Sequence, residues 1–529
     1  MGQPSFAASN AIIYVTYGVF LIIGTGLAWR MRARSSGKQS DADFLAGNRT
    51  QKGQSKKLRA LAMGAGILFS YPQLATLAGV QGVVVYAISS AAPLFIFAIL
   101  TPIIRRKCPE GFVLTEWTRQ RYGIVTALYL SALTLVTLFL YMVAELSSIG
   151  QVVNALTGLD SLPIVIVEAA VTTIYTSLGG FKISFVTDNI QGTMIIGLII
   201  IATITVGVKV DIKPELIESS GLLKPSLVGW QLVYILPISI LTNNFFLANF
   251  WLRAFASKTD RDLWIGVTIA TVVITIVLTL VGATGLIAAW SGAWPGNPPQ
   301  EDGSVAFFLL LEQLPNWTVG IVLLMSVALS TAAFDSLQSA MVSSASNDLF
   351  RNRLNIWFVR VSVVLIIIPV AVLALKAPGI LQIYLISDLL AAATIPVLII
   401  GLSDRFYWWR GFEVIIGGLG GILTVFIFGS IYYDSPQKGG ELLILEQGLY
   451  TGDWGAFGAF VAAPLGGLVW GGIALAGRLG YQYAQSKIHG TRFDALDYPI
   501  TTVVSEDQDA ITTETQDEIP SAKSTGRFF

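Results

Sequence analysis

Charge is what this sequence has least of. Of 529 residues only 12% are Asp, Glu, Lys or Arg, against 54% hydrophobic, and 33 basic residues balance 33 acidic ones. A chain with no net positive charge has no general attraction for a nucleic-acid backbone. Histidine occurs once, as His489, and cysteine once, as Cys108. One cysteine cannot close an internal disulfide, and metal-ligand spacings are absent. With the lone histidine in a polar C-terminal stretch, imidazole catalysis is excluded from the apolar part. No nucleophile–base pair or cofactor motif stands in for it, so an enzyme is not expected. The short alternating strands of a membrane barrel are missing as well. What remains is a mean hydropathy of +0.68, gathered into long apolar runs. That is the composition of an all-α polytopic membrane protein.

The runs predict thirteen spans: Ala11–Arg30, Leu58–Val80, Val83–Ile104, Ile124–Val153, Leu162–Leu178, Ile183–Val208, Gln231–Ala256, Leu263–Trp290, Val319–Ser344, Ile356–Leu375, Ile380–Leu402, Phe412–Tyr432 and Ala456–Leu475. Met1 to Asn10 has no basic residue, and the run after it is too long for a cleaved leader, so it reads as the first span. Lys and Arg fall in every second loop, from Arg32–Lys57 and Arg105–Arg121 through Arg253–Arg261 to the residues after Arg478. The intervening loops are short, neutral or acidic. Basic loops stay in the cytoplasm, which predicts an outside N-terminus and a cytoplasmic tail.

Two spans carry interruptions. The second holds Gly64, Gly66 and the patch Ser70-Tyr71-Pro72-Gln73, and the seventh holds Pro237 and Thr242-Asn243-Asn244. The two enter the membrane from opposite sides, five spans apart. Broken helices at matching places of two oppositely oriented blocks mark an inverted-repeat transporter. The expected layout is therefore an N-terminal span with its basic loop (1–57), a first five-helix repeat (58–208), an extracellular loop (209–230), a second, inverted repeat (231–402), two C-terminal spans (403–477) and a polar cytoplasmic tail (478–529). The tail is acidic and rich in Ser and Thr, a composition that favours disorder.

Acids inside apolar runs are costly, and their default reading is an ion or solute path. Asp188 and Gln191 lie three apart on one helix face, just beyond the Gly179-Gly180 pair and Lys182. Glu145, Asp335 and Asp388 each stand within a span, whereas Glu168 and Glu413 read as placed near span ends. For each, pairing with hydroxyls of a neighbouring helix is the structural alternative. The polar groups of the two interruptions suit an uncharged solute such as urea, which offers amide donors and one acceptor. A sugar or an amino acid fits them as well.

Several phrases carry a resemblance. Asp43-Phe-Leu-Ala-Gly-Asn-Arg49, Gly179-Gly180…Thr187-Asp188-Asn-Ile-Gln191 and Ser330-Thr331-Ala-Ala-Phe-Asp335-Ser336…Ser343-Ser344…Asp348 are similar to signatures of the sodium:solute symporter family. Arg105-Arg-Lys-Cys-Pro109…Glu116…Arg121-Tyr-Gly123, Val153-Asn-Ala-Leu-Thr-Gly158-Leu and Phe250-Trp-Leu-Arg-Ala-Phe-Ala256 resemble its urea active transporter (urea/polyamine permease) branch. The resemblance implies a LeuT-type 5+5 inverted repeat with one extra N-terminal and two extra C-terminal helices. It implies a secondary active transporter of a small polar solute, most readily urea, working by alternating access in the plasma membrane. A symporter for a polyamine, amino acid or sugar, or a transporter-like sensor, is the alternative. The coupling ion would be H+ or Na+, with no cofactor.

The half-helix ends of the two interrupted spans make Ser70, Tyr71, Gln73, Thr242, Asn243 and Asn244 the solute-side candidates. Asp188, Gln191, Asp335 and Ser336 are ion-side candidates from charge placement. The resemblance adds the hydroxyls of Ser330 and Thr331 and carbonyls near Phe69 and Pro72 as those that would hold sodium. Two registers are open in the ninth span. One matches the sodium hydroxyls to Ser330-Thr331; the ungapped one places Ala332 and Ala333 there. A shift of two residues turns a helix by about 200°, so the registers point to different faces. The seventh span also departs, with Leu247-Ala248 and Leu252 where relatives carry polar residues.

Overall fold

A computed structural model describes residues 4–34, 64–108, 114–296, 303–350, 356–376, 379–446 and 452–497. The Asp43–Arg49 motif, the start of the second span at Leu58, Arg351, Arg353, the tail beyond 497 and the side chains of Lys182 and Asp188 lie outside the described residues. Among those residues the chain is all helix. It begins with α1 (Phe6–Arg34), α2 (Ile67–Ala91), α3 (Leu94–Lys107), α4 (Leu114–Tyr122), α5 (Ile124–Thr157) and α6 (Ser161–Lys209). After the short α7 (Pro214–Ser219) come α8 (Leu227–Asn244), α9 (Ala248–Ala256), α10 (Asp260–Ser291), α11 (Ala306–Glu312) and α12 (Asn316–Phe350). The series ends with α13 (Ile356–Ala374), α14 (Ile380–Ile399), α15 (Gly411–Tyr432), α16 (Pro436–Leu443) and α17 (Gly455–His489). Ten of the described helices are long and apolar enough to cross a membrane, or eleven if the bent α8–α9 pair is one span.

Two long helices fold back on themselves. Along an unbroken helix Tyr71 and Tyr86 would stand about 22 Å apart. Their rings instead stack, 3.8 Å between centroids and 2° from parallel, so α2 reverses between them. The reversal is at Gly79, whose φ of 61° and ψ of −150° leave the helical region. A Cβ there would sit 1.9 Å from the Leu222 carbonyl oxygen, the same carbonyl that accepts the Val80 N–H at 3.0 Å. Glycine is needed both for the dihedral and for the approach. The second and third expected spans are thus the two arms of α2, with α3 extending the second arm. In α6, Tyr175 and Thr187 would be about 18 Å apart along a straight axis. Both hydroxyls reach one oxygen of Asp335, at 2.6 and 3.1 Å. The helix direction therefore turns between them, in the region of the expected Gly179-Gly180 break.

The non-helical residues lie about two turns from the prolines, beside the glycines of the second span and the Thr242-Asn243-Asn244 run of the seventh. Gly64, Ala65 and Gly66 are the non-helical residues before α2, and the helix runs on through the Ser70–Gln73 patch and Pro72. Likewise α8 passes through Pro237 to Asn244. The chain breaks at Phe245–Leu247 and bends by 64° into α9. A bare backbone group is tolerated in a membrane only where protein satisfies it. At the first break the Ala65 N–H donates to the Glu145 carboxylate. At the second, Trp251 Nε1 donates to the Phe245 carbonyl at 3.0 Å.

The far end of α9 is held by a single side chain. The buried Arg105 guanidinium of α3 donates to the carbonyls of Ala254, Phe255 and Ser257 at 2.7, 2.9 and 2.8 Å, and pairs with Asp260 at 3.3 Å. Those carbonyls are the unmet acceptors of a helix C-terminus, where a cation is favoured. At the C-terminal spans, Gly417 and Gly421 of α15 lie against the carbonyls of Gly467 and Ala463 of α17, the close backbone approach that small residues allow in membranes. Glu413, in the first turn of α15 and so at the span end expected of it, is fully buried within the protein. It accepts from Arg478 at 2.6 Å, so an ion pair ties α15 to α17.

Gly79→Ala is expected to cost about 1–3 kcal/mol, because strain at φ 61° adds to the contact with Leu222. Gly158, at φ 68° with nothing within 4 Å of an added Cβ, isolates the dihedral alone. Thermal unfolding of the detergent-solubilised protein should show a larger drop for Gly79→Ala than for Gly158→Ala.

Candidate functional site

Both breaks converge on one face of α14. At the first, a Cβ on Gly66 would lie 2.4 Å from the Tyr384 hydroxyl and 3.3 Å from Ser148 Oγ of α5. At the second, Asn243 Oδ1 accepts from Ser387 Oγ at 3.1 Å, and its amide donates to the Tyr141 hydroxyl. Ser387 also reaches Thr137 Oγ1 at 3.1 Å. Tyr141 of α5 and Tyr384 pack with ring centroids 4.8 Å apart. Asp388 is one turn beyond Tyr384 and so on the same helix face.

Asp388 is flanked by Ser239 and Asn243 of α8. Tyr86, Tyr141 and Tyr384 lie within its electrostatic reach. The carboxylate is 5% exposed, and its Oδ1 is buried with no hydrogen-bond partner among the described residues. Tyr71, stacked on Tyr86, donates to Ser90. Three tyrosines from three helices, with Tyr71 stacked behind one of them, thus lie about one acid with an oxygen to spare. Of these residues the sequence pointed only to Tyr71 and to Asp388 as an acid of interest. Tyr86 becomes a neighbour of Tyr71 only through the reversal at Gly79. The Tyr384–Asp388 spacing was the signal available for the rest.

Two of the other expected solute-side groups are engaged within their own helices. Ser70 Oγ donates to the Gly66 carbonyl at 3.1 Å, and Thr242 Oγ1 donates to the Ile238 carbonyl at 2.8 Å. Gln73 is buried and Asn244 is 7% exposed.

On the expected ion side, Asp335 sits in a cage of hydroxyls. It accepts from Tyr175 at 2.6 Å, Ser184 at 2.9 Å, Thr187 at 3.1 Å and Ser336 at 3.2 Å. Arg253 of α9 donates to Ser336 Oγ at 2.8 Å. Gln191 is fully buried, and its side-chain amide finds no partner among the described residues. Ser330 and Thr331 make their hydrogen bonds elsewhere. Ser330 Oγ donates to Glu168 Oε1 at 2.6 Å, and Thr331 Oγ1 donates to its own helix at Val327. The Pro72 carbonyl faces α10, where a Cβ on Gly285 would be 2.4 Å from it, and the Phe69 ring packs on Phe308 of α11. Neither contact leads to the Ser330–Thr331 turn.

Glu168 corrects the reading of the sequence most sharply. Placed there near a span end, it is wholly buried. Tyr17 of α1 donates to its Oε2 at 2.7 Å and Ser330 of α12 to its Oε1. Nothing local to residue 168 announces those partners, which come from helices more than a hundred residues away on either side. Among the described residues no group of three or more His, Cys, Asp or Glu is placed to hold a metal ion.

An all-helical fold in which the start of α2 and the α8–α9 break meet a polar focus on a third helix is that of a secondary transporter built on a LeuT-type inverted repeat. The chain belongs to the sodium:solute symporter family, whose model matches residues 44–411, and within it to the urea/polyamine permease branch. It is 51% identical to a spermidine transporter, DUR31, of Candida albicans over 514 residues, 96% of this chain and 97% of that one. A probable urea active transporter of Schizosaccharomyces pombe is 23% identical over 216 residues, 38% of this chain and 31% of that one. A urea-proton symporter of rice, DUR3, is 23% identical over 208 residues, 38% of this chain and 28% of that one. Among solved structures, a Na+-coupled sialic acid symporter in a substrate-bound outward-open state shares the fold. Its TM-score is 0.64 at 13% identity, covering 87% of this chain and 97% of that one.

Asn243→Ala removes the bridge between Tyr141 and Ser387 and leaves two buried hydroxyls short of a partner. The cost expected is about 1–3 kcal/mol, seen as a lower thermal midpoint and as slower solute uptake at equal surface expression.

Proposed function

We propose that this chain carries a polyamine, spermidine before others, into the cell across the plasma membrane by alternating access. The observation that carries the reading is the spare Oδ1 of Asp388 within the tyrosine cluster at the two breaks. An alkylammonium matches both elements. It pairs with a carboxylate, and its charge is attracted to the faces of aromatic rings. Urea is neutral and asks instead for amide and hydroxyl partners. The groups expected to supply them, Asn243, Ser70 and Thr242, already make hydrogen bonds inside the protein. The long, high identity to a spermidine transporter supports the same choice over the shorter, weaker likeness to urea carriers.

The orientation we adopt puts the end bearing Arg105, Arg253 and Arg478 in the cytoplasm and the N-terminus outside, from the distribution of Lys and Arg. A cation entering in that direction gains about 2.3 kcal/mol per charge for each 100 mV of inside-negative potential. The driving gradient is H+ or Na+, and the family membership supports a coupling ion of one kind or the other.

The test is uptake of labelled spermidine and of labelled urea by cells lacking their own carriers for both. Spermidine should enter and urea should not compete. Asp388→Asn keeps the shape and removes the charge, and should lower spermidine uptake by about tenfold or more, as loss of a desolvated charge pair does. Urea uptake unaffected by spermidine, with no spermidine entry, would reverse the assignment.

A further inference from the structure

The geometry points to Glu168 as the proton-binding group that couples transport to a proton gradient. The case rests on where the carboxyl is and on what surrounds it. It is fully buried at the junction of three helices, accepting from Tyr17 of α1 at 2.7 Å and from Ser330 of α12 at 2.6 Å while standing on α6. α6 and α12 fall in opposite repeats of the expected layout, and the Glu168–Ser330 bond ties the two halves together.

The charged and titratable groups facing it are few. From α1 come Tyr17 and, beside that ring, Tyr14. From α5 comes Glu145, itself an acid. α12 offers the neutral Ser330. Among the described residues no Lys, Arg or His interacts with the Glu168 carboxyl. A carboxylate in a membrane interior with neutral donors only and another acid as its charged neighbour is poorly compensated, and it lowers that cost by taking a proton. Asp335 and Glu413 differ on this point. Asp335 has four hydroxyls closing on it, and Glu413 has Arg478.

Protonation also changes what Glu168 can do. The carboxylate only accepts, whereas the acid donates one hydrogen bond and keeps acceptor capacity. Ser330 Oγ can reverse its role and accept that bond. The proton is taken from one side of the membrane, held as the Glu168 acid while the helices rearrange, and released to the other side. Tyr384 interacts electrostatically with both Glu145 and Asp388, and Glu145 with Glu168. A line of charged and phenolic groups thus joins the solute focus to the proton site.

The experiment compares the full-length protein with Glu168→Gln, which mimics the protonated form, and with Glu168→Asp. Infrared difference spectra between about pH 5.5 and about pH 7.5 should show the carbonyl band of a buried carboxylic acid that is missing from Glu168→Gln; this readout needs no solute. In liposomes with an inward proton gradient, Glu168→Gln should lose about tenfold or more of its accumulation of labelled spermidine. Exchange of internal for external spermidine should stay within about twofold of the parent, since exchange needs no net proton movement. Glu168→Asp should keep a pH response. No Glu168-dependent band would overturn the proposal, and so would gradient-driven accumulation intact in Glu168→Gln. Loss of exchange together with accumulation would overturn it too and leave Glu168 a packing residue. Failure of the parent protein to carry spermidine falls on the solute assignment and leaves the infrared result to decide Glu168.

Discussion

The lipid interior cannot hydrogen-bond, and that constraint accounts for most of what is specific in this fold. Every acid in a span has to be answered by the protein, and each here is answered differently. Glu413 has an arginine. Asp335 has four hydroxyls. Glu145 takes the bare N–H of a helix break, so that one exposed backbone group and one buried acid satisfy each other. Asp388 keeps an oxygen unmatched, and Glu168 has donors but no cation. Acids that are fully answered hold helices together. The incompletely answered ones are where a cation from outside has something to gain.

The same constraint explains where the helices break. Proline removes one donor, but the carbonyl it frees can be covered by a neighbouring helix, and both Pro72 and Pro237 stay inside helical segments. α2 begins only after Gly64–Gly66, and the α8–α9 span breaks at Phe245–Leu247, with Glu145 and Trp251 reaching the exposed backbone at these places. One of those partners is eighty residues distant in the chain and the other six.

That contrast measures what a sequence alone conveys. The apolar runs located the helices, and the two interrupted spans were visible as clusters of glycine, proline and polar residues. Asp335 and Asp388 were legible as acids out of place. Of the marks read in the sequence, Gly64, Gly66 and Thr242-Asn243-Asn244 border the non-helical residues, while Pro72 and Pro237 stay inside helices, because proline is a local mark and satisfaction of a break is a tertiary matter. The tyrosine cluster was not legible: Tyr86, Tyr141 and Tyr384 look like ordinary aromatic residues until the reversal at Gly79 and the crossing of α5 and α14 bring them to one place. Glu168 was misread for a related reason. Its distance from the start of its helix suggested an interface, whereas its burial depends on an N-terminal helix that covers it from outside the repeats.

Arg105 has a mechanical meaning as well as a local one. Its guanidinium holds three carbonyls at the tip of α9, the short half of a bent span, and it belongs to a helix that follows the first break in the chain. The span that follows the reversal at Gly79 is therefore stapled to the tip of the bent α8–α9 span at the arginine-rich end. A rocking motion that parts the helices at that end has to find new partners for a buried cation and three helix-terminal oxygens at once. Because one guanidinium makes all of these contacts, separation at that end breaks them together rather than one by one.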